Sequence, residues 1–224
     1  MKNNVIIVAG GKGLRMGSEL PKQFISIGGK PILMRTVDAF FEFDNTINII
    51  LVLHPSYLDF WATLCDEYDF YRNLTITMGG ETRFHSVKNG LTFVEEGLVA
   101  VHDAARPFVS KQLIGDCFER AKIGDAVIPV VDSTDSLRLM LNGERSKIVD
   151  RSKMKLVQTP QVFKADLLKK AYEVEFNDIF TDDASVVEAS GIDIHLVKGD
   201  VSNIKITTPF DLEVSEIILK NVEH

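Results

Sequence analysis

Cysteine and histidine are scarce in this 224-residue chain, and neither is spaced for chemistry of its own. The two cysteines, Cys65 and Cys117, lie far apart in segments that read as helices. That excludes a C-x-x-C redox or zinc site and leaves two buried or half-buried thiols. His54, His85, His102, His195 and His224 show no ligand spacing, so structural zinc is not expected. H-E-x-x-H and the G-x-S-x-G nucleophile elbow are both absent. No apolar run is long enough to cross a bilayer, and the chain enters Val5–Val8 without a signal-peptide pattern. The expectation is a cytoplasmic protein with no membrane partner. Positive charge is also short: Lys and Arg total 25 against 32 Asp and Glu, a formal net charge of -7. Nucleic-acid binding is built on a cation surplus, so this balance argues against it. A small phosphorylated ligand needs only a few local cations and stays open.

What is present reads as one globular unit, residues 1–224, with 45% hydrophobic and 25% charged residues. Apolar runs at Val5–Val8, Ile47–Leu53, Leu74–Thr77, Leu98–Val101, Ala126–Val131 and Ile194–Val197 read as strands. Amphipathic stretches at Ile32–Phe41, Tyr57–Tyr68, Arg83–Phe93 and Lys111–Ala121 read as helices between them. Runs that are apolar on both faces suit central parallel strands covered by helices. Ser56 with Asp59, and Thr208 with Asp211, have the spacing of capping boxes, Pro209 standing at the first helical position. The stretch 132–152 breaks the alternation, with apolar pieces on either side of Asn142-Gly143, a pair suited to a type I′ turn. A two-stranded excursion cannot bury both its faces, so it packs on its own body or on another subunit.

The first strand runs directly into Gly10, Gly11 and Gly13. The spacing fails the dinucleotide fingerprint, because Met16 occupies the third glycine position and no acidic residue closes Val52-Leu53-His54. A P-loop is absent too, since Gly29-Lys30 is followed by Pro31. Glycines without a Cβ let backbone N–H groups approach phosphate oxygens. Arg15 adds a planar fork of donors and Lys22 a compact charge, with Pro21 stiffening the return of Lys22 to the loop. Together these suit a phosphate chain whose charge rises during transfer.

Further polar groups follow other strands. Asp103 and Arg106, in HDAARP, lie where open α/β sheets gather ligands. Asp103 reads as a metal or hydroxyl ligand, or as a loop cap; His102 reads equally as a structural histidine. Gly79, Gly80 and Glu81 can present backbone groups to a base edge, and Ser86 reads as a helix hydroxyl. Arg151, Thr159, Thr181 and Lys205 are side chains of the kind that hold a polyol phosphate.

In order along the chain, VAGGKGLRMG, PKQF, GGETRFHSVKNGL, VHDAARPF, VDR, TPQVF, TDDAS and GDVSNIKITTPFDL resemble the 2-C-methyl-D-erythritol 4-phosphate cytidylyltransferase family over nearly its whole length. The resemblance implies a Rossmann-like, mostly parallel α/β sheet of nucleotidyltransferase type with helices on both faces. It also implies a protruding β-hairpin arm, residues 132–152, through which a homodimer forms. The implied activity is transfer of CMP from CTP to methylerythritol phosphate with release of pyrophosphate, assisted by Mg2+. Arg15 and Lys22 match the transition-state cations. Ala9, Gly10, Gly80, Glu81 and Ser86 match the cytosine pocket, with Glu81 where some members have aspartate. Gly11 and Gly13 belong to the phosphate loop, and Asp103 and Arg106 to the nucleotide and Mg2+ region. Asp103, Thr159, Thr181 and Lys205 match the acceptor site, with Arg151 entering from the partner subunit. Ribitol-5-phosphate cytidylyltransferases share the loop, but RFHSVKNGL and VHDAARPFVS lean to the erythritol family. A catalytically silent nucleotide-binding module is disfavoured by the presence of Arg15, Lys22 and Asp103.

Overall fold

The computed structural model describes residues 1–11 and 20–222. Arg15 and Gly13 lie outside the described residues. The elements in chain order begin with β1 (Asn3–Ala9), β2 (Ser26–Ile27), β3 (Lys30–Pro31), α1 (Ile32–Phe43), β4 (Asn48–Leu53), α2 (Leu58–Glu67) and β5 (Leu74–Met78). Next come α3 (Arg83–Leu91), β6 (Leu98–Asp103), α4 (Lys111–Gly124), β7 (Ala126–Asp132), β8 (Leu137–Met140) and β9 (Ser146–Val149). The last are β10 (Lys155–Val157), β11 (Gln161–Lys164), α5 (Ala165–Ala171), α6 (Asp183–Glu188), β12 (His195–Lys198) and α7 (Pro209–Val222).

The period-two geometry of a strand divides the core into two layers. Val5, Ile7 and Ala9 point to one face of the sheet, with Ile49, Leu51 and Leu53 of β4. That face is covered by Leu33, Val37 and Phe40 of α1, Trp61 of α2, and Ile114 and Phe118 of α4. Ile6, Ile50, Val52, Val99 and Val101 point the other way, onto Phe84 and Val87 of α3, Leu168 of α5 and Val187 of α6. Strands clothed on both sides carry continuous Val/Ile runs, as their sequences indicate.

The eight-stranded sheet places β5, β4, β1 and β6 in parallel succession. β11 is then inserted antiparallel between β6 and β7, pairing Val162 with both Ala100 and Val127. β10 continues along the same side of β7, and β12 lies parallel on its other side. β11 was not foreseen: four residues are too few for a period, and its position is set by partners far away in sequence.

Two local expectations are corrected. α2 is not capped by Ser56; Pro55–Tyr57 forms a 3-10 turn in which His54 Nδ1 accepts from the Ser56 N–H, and α2 starts at Leu58. In the arm, the turn sits on Gly143-Glu144, with the Arg145 N–H donating to the Asn142 carbonyl. Gly143 has φ +59 but Asn142 does not have positive φ, so the Asn142-Gly143 type I′ turn is not formed. The Thr208/Asp211 box is present: Asp211 Oδ2 accepts from Thr208 N–H, and Thr208 Oγ1 from Asp211 N–H.

Among the described residues, β8 and β9 pair only with each other. Leu139, Met140, Leu141 and Ile148 are exposed on this arm.

Candidate active site

The C-terminal ends of β1, β4, β5 and β6 open onto one cavity of about 690 Å³. Its described lining includes Ala9, Gly10, Gly11, Lys22, His54, Gly80, Glu81, Arg83, Ser86, Asp103 and Lys205. This is the crevice at which open α/β sheets bind ligands, and the size suits a small-molecule site.

Its floor depends on close packing of backbone. A Cβ on Gly10 would stand 2.8 Å from Ser86 Oγ and 3.4 Å from the Gly79 Cα, so the β1 and β5 loops meet only because both are glycine there. Gly11 differs: a Cβ would meet nothing within 4 Å among the described residues, and its position faces the open cavity. Ser86 is buried; its hydroxyl donates to the Thr82 carbonyl at 2.9 Å and accepts from the Gly80 N–H at 3.1 Å. It therefore fixes the glycine turn from behind. Lys22 begins a 3-10 turn after Pro21, and Gln23 ties that turn to β1 by donating its amide to the carbonyls of Ala9 (3.1 Å) and Gly11 (3.3 Å). Sequence reading missed Gln23, although a polar residue beside PK in a loop returning to β1 was the available signal.

Opposite this floor, Asp103 ends β6 within a ring of cations. Its Oδ1 lies 3.4 Å from Arg83 Nε; its Oδ2 lies 2.8 Å from Lys205 Nζ and 3.6 Å from Arg106 Nε. Burial by itself would raise the carboxyl pKa, but Arg83, Lys205 and Arg106 outweigh it and hold the group well below the usual carboxylate range. Arg83 reaches further, pairing at 2.7 Å with the fully buried Asp183, whose other oxygen accepts from Tyr172 Oη. Desolvation works against the Arg83 charge, and Asp183 and Asp103 more than compensate, so the guanidinium stays charged. Arg83 thus joins the cavity wall to α6, a role legible only once the two aspartates are in place.

Lys205 is carried by a loop strapped on two sides. Gln158 donates its amide to the Asp200 carbonyl and accepts from the Asp200 N–H, while Asn203 donates to the Thr159 carbonyl. Arg106 Nη1 donates to the Asn203 carbonyl, and the Ile206 N–H to the Ala105 carbonyl.

The sequence profile of the family described as 2-C-methyl-D-erythritol 4-phosphate cytidylyltransferase matches residues 4–221. A relative from Bacteroides fragilis carrying that description is 58% identical over 220 residues, covering 98% of this chain and all of the relative. The chain belongs to this cytidylyltransferase family. A second relative so described, from Phocaeicola vulgatus, is 56% identical over 220 residues, again 98% of this chain and all of the relative. Among solved structures, the 4-diphosphocytidyl-2C-methyl-D-erythritol synthase of Anaerococcus prevotii superposes with a TM-score of 0.83 at 30% identity, covering 98% of this chain and 96% of that one. The family enzyme of Thermus thermophilus gives 0.79 at 32% identity, over 98% and 100% of the two chains. The expected α/β nucleotidyltransferase fold is therefore the fold observed, with β10 and β11 as its antiparallel members.

Against this cytidylyltransferase background, the fold gathers Ala9, Gly10, Gly11, Lys22, Gly80, Glu81, Ser86, Asp103 and Lys205 at one cavity. Arg106 and Thr159 stand behind Asp103, engaged with Asn203 and with the Asp103 N–H. Thr181 is exposed just before α6. Arg151 is exposed at the base of the arm, where its Nη1 donates to the Thr134 carbonyl at 2.6 Å. Among the described residues no three His, Cys, Asp or Glu side chains cluster as a metal site. Among the described residues, the carboxylates lining the cavity are Asp103 and Glu81. That donor set fits Mg2+ only as an ion carried on nucleotide phosphates, which need one or two carboxylates from the protein.

Proposed function

We propose that this cavity is where the chain transfers CMP from CTP to the phosphate of 2-C-methyl-D-erythritol 4-phosphate, giving 4-diphosphocytidyl-2-C-methyl-D-erythritol and pyrophosphate. The observation that carries this reading is the convergence of Lys22 and the Lys205–Asp103 pair on one cavity beside a glycine turn. In a chain of net charge -7, Arg83, Arg106 and Lys205 surround Asp103, Arg83 also pairs with Asp183, and Lys22 joins them at the cavity against the one further described carboxylate, Glu81. The local surplus is positive, as phosphate groups require.

The backbone of Ala9, Gly10, Gly80 and Glu81, stiffened by Ser86, suits the flat edge of cytosine. Gly11, with open space before it among the described residues, suits close approach of the triphosphate, together with Gly13, Arg15 and Lys22. The acceptor's phosphate oxygen is already an anion, so no side-chain base is needed. It attacks the α-phosphorus of CTP while the bond to the bridging oxygen breaks and its electrons leave with pyrophosphate. Catalysis is then alignment and charge compensation, the role assigned to Lys22 and Arg15. Mg2+, when bound, would neutralise part of the phosphate charge, and Asp103 is the carboxylate that would hold it. Asp103 and Lys205 hold the acceptor, with Thr159 behind them and Thr181 beside α6. Arg151 is assigned to the acceptor site of the partner subunit in a homodimer built through residues 132–152. The exposed Leu139, Met140, Leu141 and Ile148 of the arm support it as an interface, because two strands alone cannot cover them. Lys22→Ala should lower kcat by about 10²–10³ while leaving the circular dichroism spectrum and urea midpoint unchanged. Near-normal turnover in that variant would overturn the assignment.

A further inference from the structure

His102 has no part in the transfer described above, yet it is completely buried at the end of β6, adjacent to Asp103. Its ring stands edge-on to Phe40, with centroids 4.9 Å apart. Both ring nitrogens are occupied. Nε2 lies 3.0 Å from the Arg106 carbonyl oxygen, and Nδ1 lies 3.1 Å from Thr159 Oγ1. The same Thr159 oxygen lies 3.1 Å from the backbone nitrogen of Asp103.

With the ring neutral, as its complete burial favours, these contacts have only one consistent direction. A carbonyl oxygen can only accept, so His102 Nε2 carries the ring proton and donates it to Arg106. A neutral imidazole then has no hydrogen on Nδ1, which must accept. The hydrogen it accepts is that of the Thr159 hydroxyl. The Asp103 N–H in turn donates to Thr159 Oγ1. The hydroxyl proton of Thr159 is thereby committed inward, away from the cavity.

We propose that His102 and Thr159 are positioning residues, linked in a one-way hydrogen-bond chain from the Asp103 N–H to the Arg106 carbonyl that sets the Asp103 carboxylate against Lys205. Thr159 does not donate its hydroxyl proton to the acceptor; it holds the residue that does the holding. The chain also reaches the Lys205 side of the pair, because Asn203 donates to the Thr159 carbonyl at 2.8 Å and accepts at its own carbonyl from Arg106 at 2.8 Å. One threonine thus registers the two loops that carry the ion pair. This inference rests on the cytidylyl-transfer reading for its kinetic consequence, but not for its hydrogen-bond pattern.

The test has two parts, which fail separately. In the unliganded wild-type protein, a two-bond 1H–15N spectrum labelled at histidine should show His102 protonated at Nε2 with Nδ1 bare. The opposite tautomer, or a doubly protonated ring at neutral pH, would overturn the chain whatever the enzyme does. In the pyrophosphate-release assay with CTP, Mg2+ and methylerythritol phosphate, Thr159→Val should lower kcat on the order of tenfold to 10²-fold, the cost of misplacing a positioned group. Thr159→Ser should restore most of that loss. His102→Gln should reproduce the kcat loss, and the double variant should be no worse than the more impaired single one. A direct contact between Thr159 and the acceptor predicts another pattern: a raised KM for methylerythritol phosphate in Thr159→Val, with His102→Gln silent. That pattern would refute the proposal. Should Thr159→Val not fold, His102→Gln and the tautomer spectrum still decide. If the wild-type protein released no pyrophosphate, the functional reading would fall and the spectrum would judge the chain alone.

Discussion

Gly10→Ala probes the floor of the cavity with the smallest possible change. Gly10 has no left-handed φ, so alanine is allowed by its backbone, and the stiffer unfolded chain would favour the variant by about 0.4–1 kcal/mol. The new methyl group, however, would stand 2.8 Å from Ser86 Oγ, closer than packed atoms tolerate. Ser86 cannot yield cheaply, because its oxygen is held by Thr82 at 2.9 Å and by Gly80 at 3.1 Å. Weakening those bonds costs about 1 kcal/mol each, and overpacking costs typically about 1–3 kcal/mol. The balance is a net loss of about 2–4 kcal/mol. Gly11→Ala has the same entropic gain and meets no clash among the described residues, so it should be as stable as wild type or slightly more so. Urea unfolding, with midpoints compared at equal slope, reads the difference directly. In the cycle with Ser86→Ala, deleting the obstructing oxygen should make the double variant more stable than the two single losses predict, with a coupling of about 1 kcal/mol. Equal stability of Gly10→Ala and Gly11→Ala, or strict additivity with Ser86→Ala, would refute the packing account. Activity should divide the other way for Gly11→Ala, whose methyl group enters the cavity and raises the KM for CTP.

Two other outcomes follow from the same structure. Burial, then the neighbouring Asp66, pushes the Cys65 thiol up to about 11, and burial, then Asp116, pushes Cys117 up to about 12. With thiolate scarce at pH 8, the native protein should take up iodoacetamide far more slowly than the urea-unfolded protein at both sites; rapid labelling of native Cys117 would contradict its placement on the buried face of α4. Ile148→Asp puts a charge on the exposed arm and should convert a homodimer to monomer in light scattering without shifting the urea midpoint of the isolated fold; an unchanged mass would remove the arm from the interface.

The layers of the fold were legible because the sheet is covered on both sides. β1, β4, β6 and β7 announce themselves as apolar runs, and the helices between them as amphipathic ones. β11 stayed hidden, since QVFK is short and its pairing with β6 and β7 is non-local. The cap at Ser56 failed because Pro55 starts its own turn, and the turn in the arm moved one residue because only Gly143 adopts positive φ. At the site, the aspartate and lysines were visible as charges placed after strands. Their supports were not. Arg83 and Asn203 act through partners tens of residues away, and nothing local distinguishes them from ordinary polar residues; Gln23 had only its place beside PK, and His102 was readable as a structural histidine without its partners.

The central claim is that this cavity passes a cytidylyl group to a polyol phosphate. The purified protein, mixed with CTP, Mg2+ and either methylerythritol phosphate or ribitol 5-phosphate, should release pyrophosphate with the first acceptor, at a rate abolished to within about 10²–10³ by Lys22→Ala. Release that is absent with methylerythritol phosphate, faster with ribitol 5-phosphate, or indifferent to Lys22 would contradict it.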